Sequence, residues 1–337
     1  MGEQIGLGLL VVVIAGVLNG SFAAPMKKMP GWRWENSWLI FALSGLVIFP
    51  WIIAYATVPH LGAVYSSASW GTLEKVAFYG FVWGIGATLF GLGISRVGLA
   101  LGFAVILGIT ASFGSLIPLA ILHRNELTNR HGIALMTGTV VMTAGLICLA
   151  IAGRQRERNQ GQADAPRSGF MLGLVICIFS GLFSSLLNFS FVFGDELRVQ
   201  ALALGARPSM AANAIWSLCV TGGFIANAVY CCYLLGKNKT WSVYKTGEGT
   251  YWLLGSLMGL LWLSGTLLYG SGASILGTLG GIIGWPVFML VDIIVGLFWG
   301  MATGEWKDAG RRAFTYCWSG IAILCLAIIV ISVGGAS

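Results

Sequence analysis

The chain has 337 residues, of which 57% are hydrophobic and only 9% charged, and its mean hydropathy is +0.85. A soluble domain carries roughly 25% charged residues, so this chain cannot cover a water-facing surface, which excludes a water-soluble enzyme and a disordered chain alike. The net charge of +7 does not point to nucleic acid, because the basic residues sit in short connections between apolar stretches, as they do in membrane proteins.

A bilayer core needs about 20 apolar residues per helix. Taken in chain order, the sequence predicts spans at 4–24, 37–57, 76–95, 98–122, 132–152, 169–192, 209–235, 251–271, 274–303 and 313–334. The first span has no basic residue before it, whereas Lys27, Lys28 and Arg33 follow it. A cleaved signal carries its charge first, so this reads as a retained helix with its N-terminus outside. The longest polar stretch, Gly153 to Ser168, reads as a flexible linker on the inner side. It divides residues 1–152 from residues 169–337, five spans each. With the N-terminus outside, fourteen basic residues face inward and five outward, and both termini lie outside. The seven cysteines fall in apolar stretches without metal-ligand spacing and read as packing residues.

The two halves resemble each other. Trp83–Gly102 and Trp262–Gly281 align at an offset of 179. At that offset Trp83 meets Trp262, Phe90 meets Tyr269, Gly91 meets Gly270 and Gly93 meets Gly272. Ser95, Gly98, Gly102 and Glu126 then meet Ser274, Gly277, Gly281 and Glu305. The first helices of the halves match with Ala15-Gly16 on Ser180-Gly181, which sets Asn19 against Ser184. Because five is odd, the second half must enter the membrane inverted. The expected fold is an all-α integral membrane protein of ten helices in two inverted five-helix repeats. That is an architecture of secondary transporters, with the substrate site between the repeats near the midplane.

Trp32-Arg-Trp-Glu35-Asn-Ser-Trp38 after Pro25-Met-Lys-Lys28 resembles the first connection of the L-rhamnose–proton symporter family. Tyr65-Ser-Ser67, Trp83-Gly-Ile-Gly86, Gly108-Ile-Thr110 and Glu305-Trp306 before Ala309-Gly-Arg-Arg312 extend the resemblance in order to the last connection. It implies membership of the drug/metabolite transporter superfamily and cation-coupled uptake of a small sugar across a bacterial inner membrane. The chain departs from the family's pattern at Asn19, Asp292 and Glu74-Lys75, and agrees with it at Asn227.

A charge inside a span costs about 2.5–3.5 kcal/mol on insertion scales. Asp292 is the ionisable residue deep in a span and the candidate proton carrier, since a buried carboxyl group keeps its proton until water reaches it. A structural hydrogen bond across a helix interface is the alternative. Pro286, six residues earlier, predicts a kink. Amides both donate to and accept from hydroxyls, which makes Asn19, Asn188 and Asn227 candidate sugar contacts; interhelical bonding is the competing role for these and for Asn213. Trp83, Trp262 and Trp285 lie deep enough to stack on a sugar ring or simply to pack. Trp32, Trp34, Trp38, Trp51, Trp241, Trp252, Trp306 and Trp318 are expected in the interfacial belts. Glu126 and Glu305 read as structural, pairing with Arg130 or with Arg311 and Arg312, and Asp195 as paired with Arg198. Glycines four apart, such as Gly16 and Gly20, Gly80 and Gly84, or Gly296 and Gly300, predict close helix contacts.

The expected partners are a small sugar, protons and membrane lipid, with no cofactor, metal or nucleic acid. The main alternative is an exporter or antiporter of another metabolite. An intramembrane protease would need a second acid facing Asp292, and a metalloprotease a His-Glu-x-x-His motif that is missing. A passive channel would ignore an imposed proton gradient.

Overall fold

In the computed structural model, which describes residues 2–97, 99–161, 170–246, 248–278 and 280–335, ten helices are long and apolar enough to cross a bilayer. They are α1 (Gly2–Gly20), α2 (Trp34–Thr57), α3 (Trp70–Val97), α4 (Leu99–Leu122) and α5 (Arg130–Asn159) in the first half. The second half holds α6 (Phe170–Ala203), α7 (Asn213–Asn238), α8 (Gly249–Leu276), α9 (Gly280–Ala302) and α10 (Gly310–Gly335). No strand occurs among the described residues. The protein is a multi-pass membrane protein.

The outward faces show what the solvent is. Leu7, Leu10, Ile14 and Val17 repeat at helical spacing along one exposed face of α1, and Leu253, Leu257 and Leu260 do so on α8. Water would penalise such stripes, whereas lipid does not. The inward side is built around α9, which is buried almost continuously from Gly280 to Val291.

Helix contacts follow a rule. α1 packs on α8 and α9, as α6 packs on α3 and α4. α3 packs on α7 as α8 packs on α2, α4 on α5 as α9 on α10, and α4·α9 and α5·α10 map onto themselves. Each principal pair survives exchange of helix n with helix n + 5. The rule holds at single residues. A Cβ on Gly86 would meet Ser184, and one on Gly265, which is 179 residues on, would meet Asn19. A Cβ on Gly93 would meet Cys177, and one on Gly272 would meet Val12.

The structure moves several boundaries. Gly153 to Asn159 continue α5 rather than forming a linker, with Arg156 and Glu157 buried and Arg156 lying against Glu305 and Trp306 of the connection after α9; residues 162–168 lie outside the described residues. Ser274–Leu276 finish α8, and Gly277 at φ +83° breaks the chain before α9, a conformation that glycine alone adopts freely. α9 runs unbroken through Pro286. The irregular helices are instead α2, with a π turn at Ser44–Ile48, and α6, interrupted at Ser185 and Gly194. The π turn has a cause. Pro50 cannot donate to the Leu46 carbonyl, which accepts from Thr221 Oγ1 at 3.5 Å instead. Gly80 and Gly84 lie against Cys219 and Gly223, and Gly16 and Gly20 against α9, as the glycine spacing predicts, but Gly296 faces open space. Gly98 lies outside the described residues.

Candidate functional site

The candidate residues fall into three groups around α9. In the first, the repeat-related Trp83 and Trp262 stack on each other, with ring centroids 5.3 Å apart and planes 25° apart. Asn19 joins them, its Nδ2 donating to the Trp262 carbonyl at 3.2 Å. Its Oδ1 has no partner among the described residues. The stack therefore links α3, α8 and α1 at the meeting of the two halves.

The second group is α4 with α6, α8 and α9. Pro118 inside α4 cannot donate to the Gly114 carbonyl, which Asn188 Nδ2 reaches at 2.7 Å. The same nitrogen donates to the Gly281 carbonyl at 2.8 Å, and Asn188 Oδ1 accepts from the Tyr269 hydroxyl. Trp285 Nε1 donates to the Thr110 carbonyl at 3.0 Å, one helical turn along α4, and its ring packs on Tyr269 at 5.5 Å. Asn188 is fully buried and its amide is engaged on three sides. Neighbouring Ser115 Oγ, and Trp216 Nε1 beside Tyr269, are buried without a hydrogen-bond partner among the described residues.

Asp292 is the third group. It sits midway along α9, half-buried, facing Gly20 of α1. A Cβ on Gly20 would come within 3.1 Å of Asp292 Oδ1, so glycine there lets α1 approach the carboxyl group. No donor or cation is paired with this carboxyl among the described residues. Asn227 lies apart, its Oδ1 accepting from Trp38 Nε1 at 2.9 Å and its Nδ2 donating to Gly223 O in its own helix at 2.9 Å. Trp38 packs on Phe41, and Phe41 on Trp262, so an aromatic chain joins Asn227 to the first group. Asn213 is structural, donating to Thr57 Oγ1 at 2.9 Å.

Other expectations resolve at the two membrane faces. Arg198 pairs with Asp195 at 2.5 Å. Glu305 pairs with Lys27 and Arg156 rather than with the arginines that follow it, because the connection after α9 folds back over the end of α5. Glu126 accepts from Asn129 rather than from Arg130. Trp32 and Trp306 are buried, not in a belt: Trp32 is ringed by Tyr244, Tyr251 and Trp252, and Trp306 lies under Arg156. Tyr65, between α2 and α3, donates to the Ala214 carbonyl at 2.8 Å; burial pushes its phenol up to about 12, so it stays a neutral donor.

Sequence reasoning missed Tyr269, Pro118, Ser115 and Glu35. Glu35 is buried in the first turn of α2 and accepts from Asn238 Nδ2 at 2.8 Å and Thr240 Oγ1 at 3.1 Å. A span begun at residue 37 leaves it outside the helix. The signal for Tyr269 was present: the repeat pairs it with Phe90, so its hydroxyl is the addition unique to the second half. No group of residues able to hold a metal occurs among the described residues.

Comparison with known proteins gives a full-length match. The family model described as L-rhamnose-proton symport protein (RhaT) matches residues 1–337. L-rhamnose-proton symporters of Escherichia coli strain 55989, Escherichia coli O8 strain IAI1 and Shigella boydii serotype 18 are each 29% identical over 345 residues, covering 100% of both chains.

Proposed function

We propose a function from one premise: the chain belongs to the L-rhamnose-proton symport protein family. It is a secondary active transporter that takes up L-rhamnose, or a closely related neutral sugar, together with a proton. It is not an enzyme. It sits in a bacterial inner membrane with both termini outside, within the drug/metabolite transporter superfamily. The contact rule that exchanges helix n with helix n + 5 supports two five-helix repeats, inverted because five is odd. Such halves can swap roles at little energetic difference, which is the basis of alternating access.

The observation that carries the mechanism is Asp292, a carboxyl group midway along α9 with no partner among the described residues. A structural acid would be bonded. A proton carrier must be free to gain and lose its proton as access changes. Asn19, with its oxygen unspent, lies one residue from Gly20, against which Asp292 rests. Two of the departures from the family's pattern, Asn19 and Asp292, thus meet at one point. Asn19, Trp83 and Trp262 form the sugar-facing side of this site, and Asn227 backs it through Trp38 and Phe41. Asn188 and Trp285 hold its wall in this conformation, beside the unspent Ser115 Oγ. Because the two indoles cover each other's faces, sugar binding requires them to part.

The test uses proteoliposomes under no imposed gradient. Adding L-rhamnose makes the outside alkaline, and a protonophore abolishes the change. Asp292→Asn keeps rhamnose exchange and loses accumulation. Rhamnose concentrated by the Asn variant would remove Asp292 from the coupling step. A signal with another sugar only would change the substrate, and no signal with any sugar would favour an exporter.

A further inference from the structure

The seam between α1 and α9 is closed by different chemistry at its two ends. Beyond Asp292, polar bonds cross it one after another. Trp299 Nε1 donates to Ser21 Oγ at 2.8 Å, Lys27 donates to Thr303 Oγ1 at 2.5 Å, and Lys27 pairs with Glu305. Arg156 at the end of α5 approaches the other Glu305 oxygen at 3.6 Å. Asn159 donates to the Ala309 carbonyl at 2.6 Å, and Gln160 to the carbonyls of Glu305 and Lys307 at 2.8 Å each. The first half thus grips the connection after α9 from both sides. At the other end of the same seam, Leu9 and Ile283 border a cavity of about 180 Å³ with His131, Thr278 and Ser332 at its wall. That is the liquid volume of about six waters. Among the described residues no hydrogen bond joins α1 to α9 there.

The repeat supplies an internal comparison. Glu126 is the equivalent of Glu305 at the opposite end of the bundle. Among the described residues its side chain bonds only Asn129, three residues along, at 3.2 Å. One member of the pair is clamped to the other half, and its equivalent is not. We propose that Glu305, with Lys27 and Arg156, is the gate that holds one membrane face shut while the cavity end is open. Glu126 takes the corresponding part at the opposite face in the alternate state. This rests on the alternating-access reading above, but its test needs neither sugar nor proton flux, so the two fail separately.

The test is hydrogen exchange of the full-length protein in nanodiscs, without sugar. Glu305→Gln speeds exchange in residues 21–28 and 299–307 by roughly tenfold and slows it in residues 5–9 and 280–284. Lys27→Met shifts it in the same direction but less, since Arg156 remains; it decides the matter if Glu305→Gln does not fold. Glu126→Gln keeps the wild-type pattern. Faster exchange at both ends would mean general loosening and would overturn the gate, as would no change at either end, or Glu126→Gln behaving like Glu305→Gln.

Discussion

Asn188 is a candidate ligand contact whose amide is taken up by structural bonds in this conformation. Its neutral amide on an apolar helix suits a sugar hydroxyl, yet in this conformation it serves the Gly114 and Gly281 carbonyls and the Tyr269 hydroxyl. Asn188→Ala leaves the Gly114 carbonyl, freed by Pro118, buried and unpaired, at about 1–3 kcal/mol, while the Tyr269 hydroxyl and the Gly281 carbonyl keep their own bond at 3.2 Å. The expected outcome is a lower unfolding midpoint in detergent, with the rise produced by rhamnose unchanged. A normal midpoint with no response to rhamnose would instead make Asn188 a substrate contact. The sequence places Asn188 in the core but cannot show that Pro118 has freed a carbonyl for it, because the two are 70 residues apart and meet only when α4 packs on α6. Asp292 stands out in the sequence for the opposite reason: an ionisable group within a span needs a use whatever its neighbours are.

At the scale of elements, glycine spacing carries real information, but only where a second helix is present to use it. Gly80 of α3 lies so close to α7 that a Cβ there would sit 1.8 Å from the Cys219 carbonyl oxygen, a backbone atom that cannot rotate away. Gly80→Ala therefore forces α3 and α7 apart and lowers the unfolding midpoint and transport together. Gly296→Ala meets nothing within 4 Å, and alanine is the better helix former by about 0.5–1 kcal/mol, so its midpoint is equal or higher. Thermal unfolding of both variants in one detergent checks the contrast; equal losses would show that the α3–α7 approach is not tight. Helix existence was legible throughout, since ten apolar stretches long enough to span a bilayer have no other solution. Helix irregularity was not. Pro286 drew attention, but Pro50 marks the π turn, and a proline's effect depends on whether a neighbour such as Thr221 takes up the freed carbonyl.

For the whole molecule, symmetry and its violation act together. The exchange rule among helix contacts relates the halves, while the Lys27–Glu305–Arg156 cluster, with no counterpart at Glu126 among the described residues, supports reading the present conformation as one of two. The repeat reading rests on tryptophan and glutamate recurring at one offset, and the pairing of helix contacts agrees with it. The state was not legible in the sequence, because the offset treats Glu126 and Glu305 as equals and only folding brings Lys27 to one of them. Charge distribution adds an expected orientation. Fourteen of the nineteen basic residues lie on the Glu305 side of the bundle by the span order, and basic residues in short loops are retained in the cytoplasm. On that reading the proposed gate is expected at the cytoplasmic face, the cavity at the outer face, and the C-terminus outside, since the number of spans is even. Alkaline phosphatase fused after Ser337 is therefore active and a green fluorescent protein fused there is dark, whereas fusions within residues 237–245 give the reverse. A fluorescent C-terminal fusion would turn the molecule over, leaving the gate intact but assigning it to the outer face.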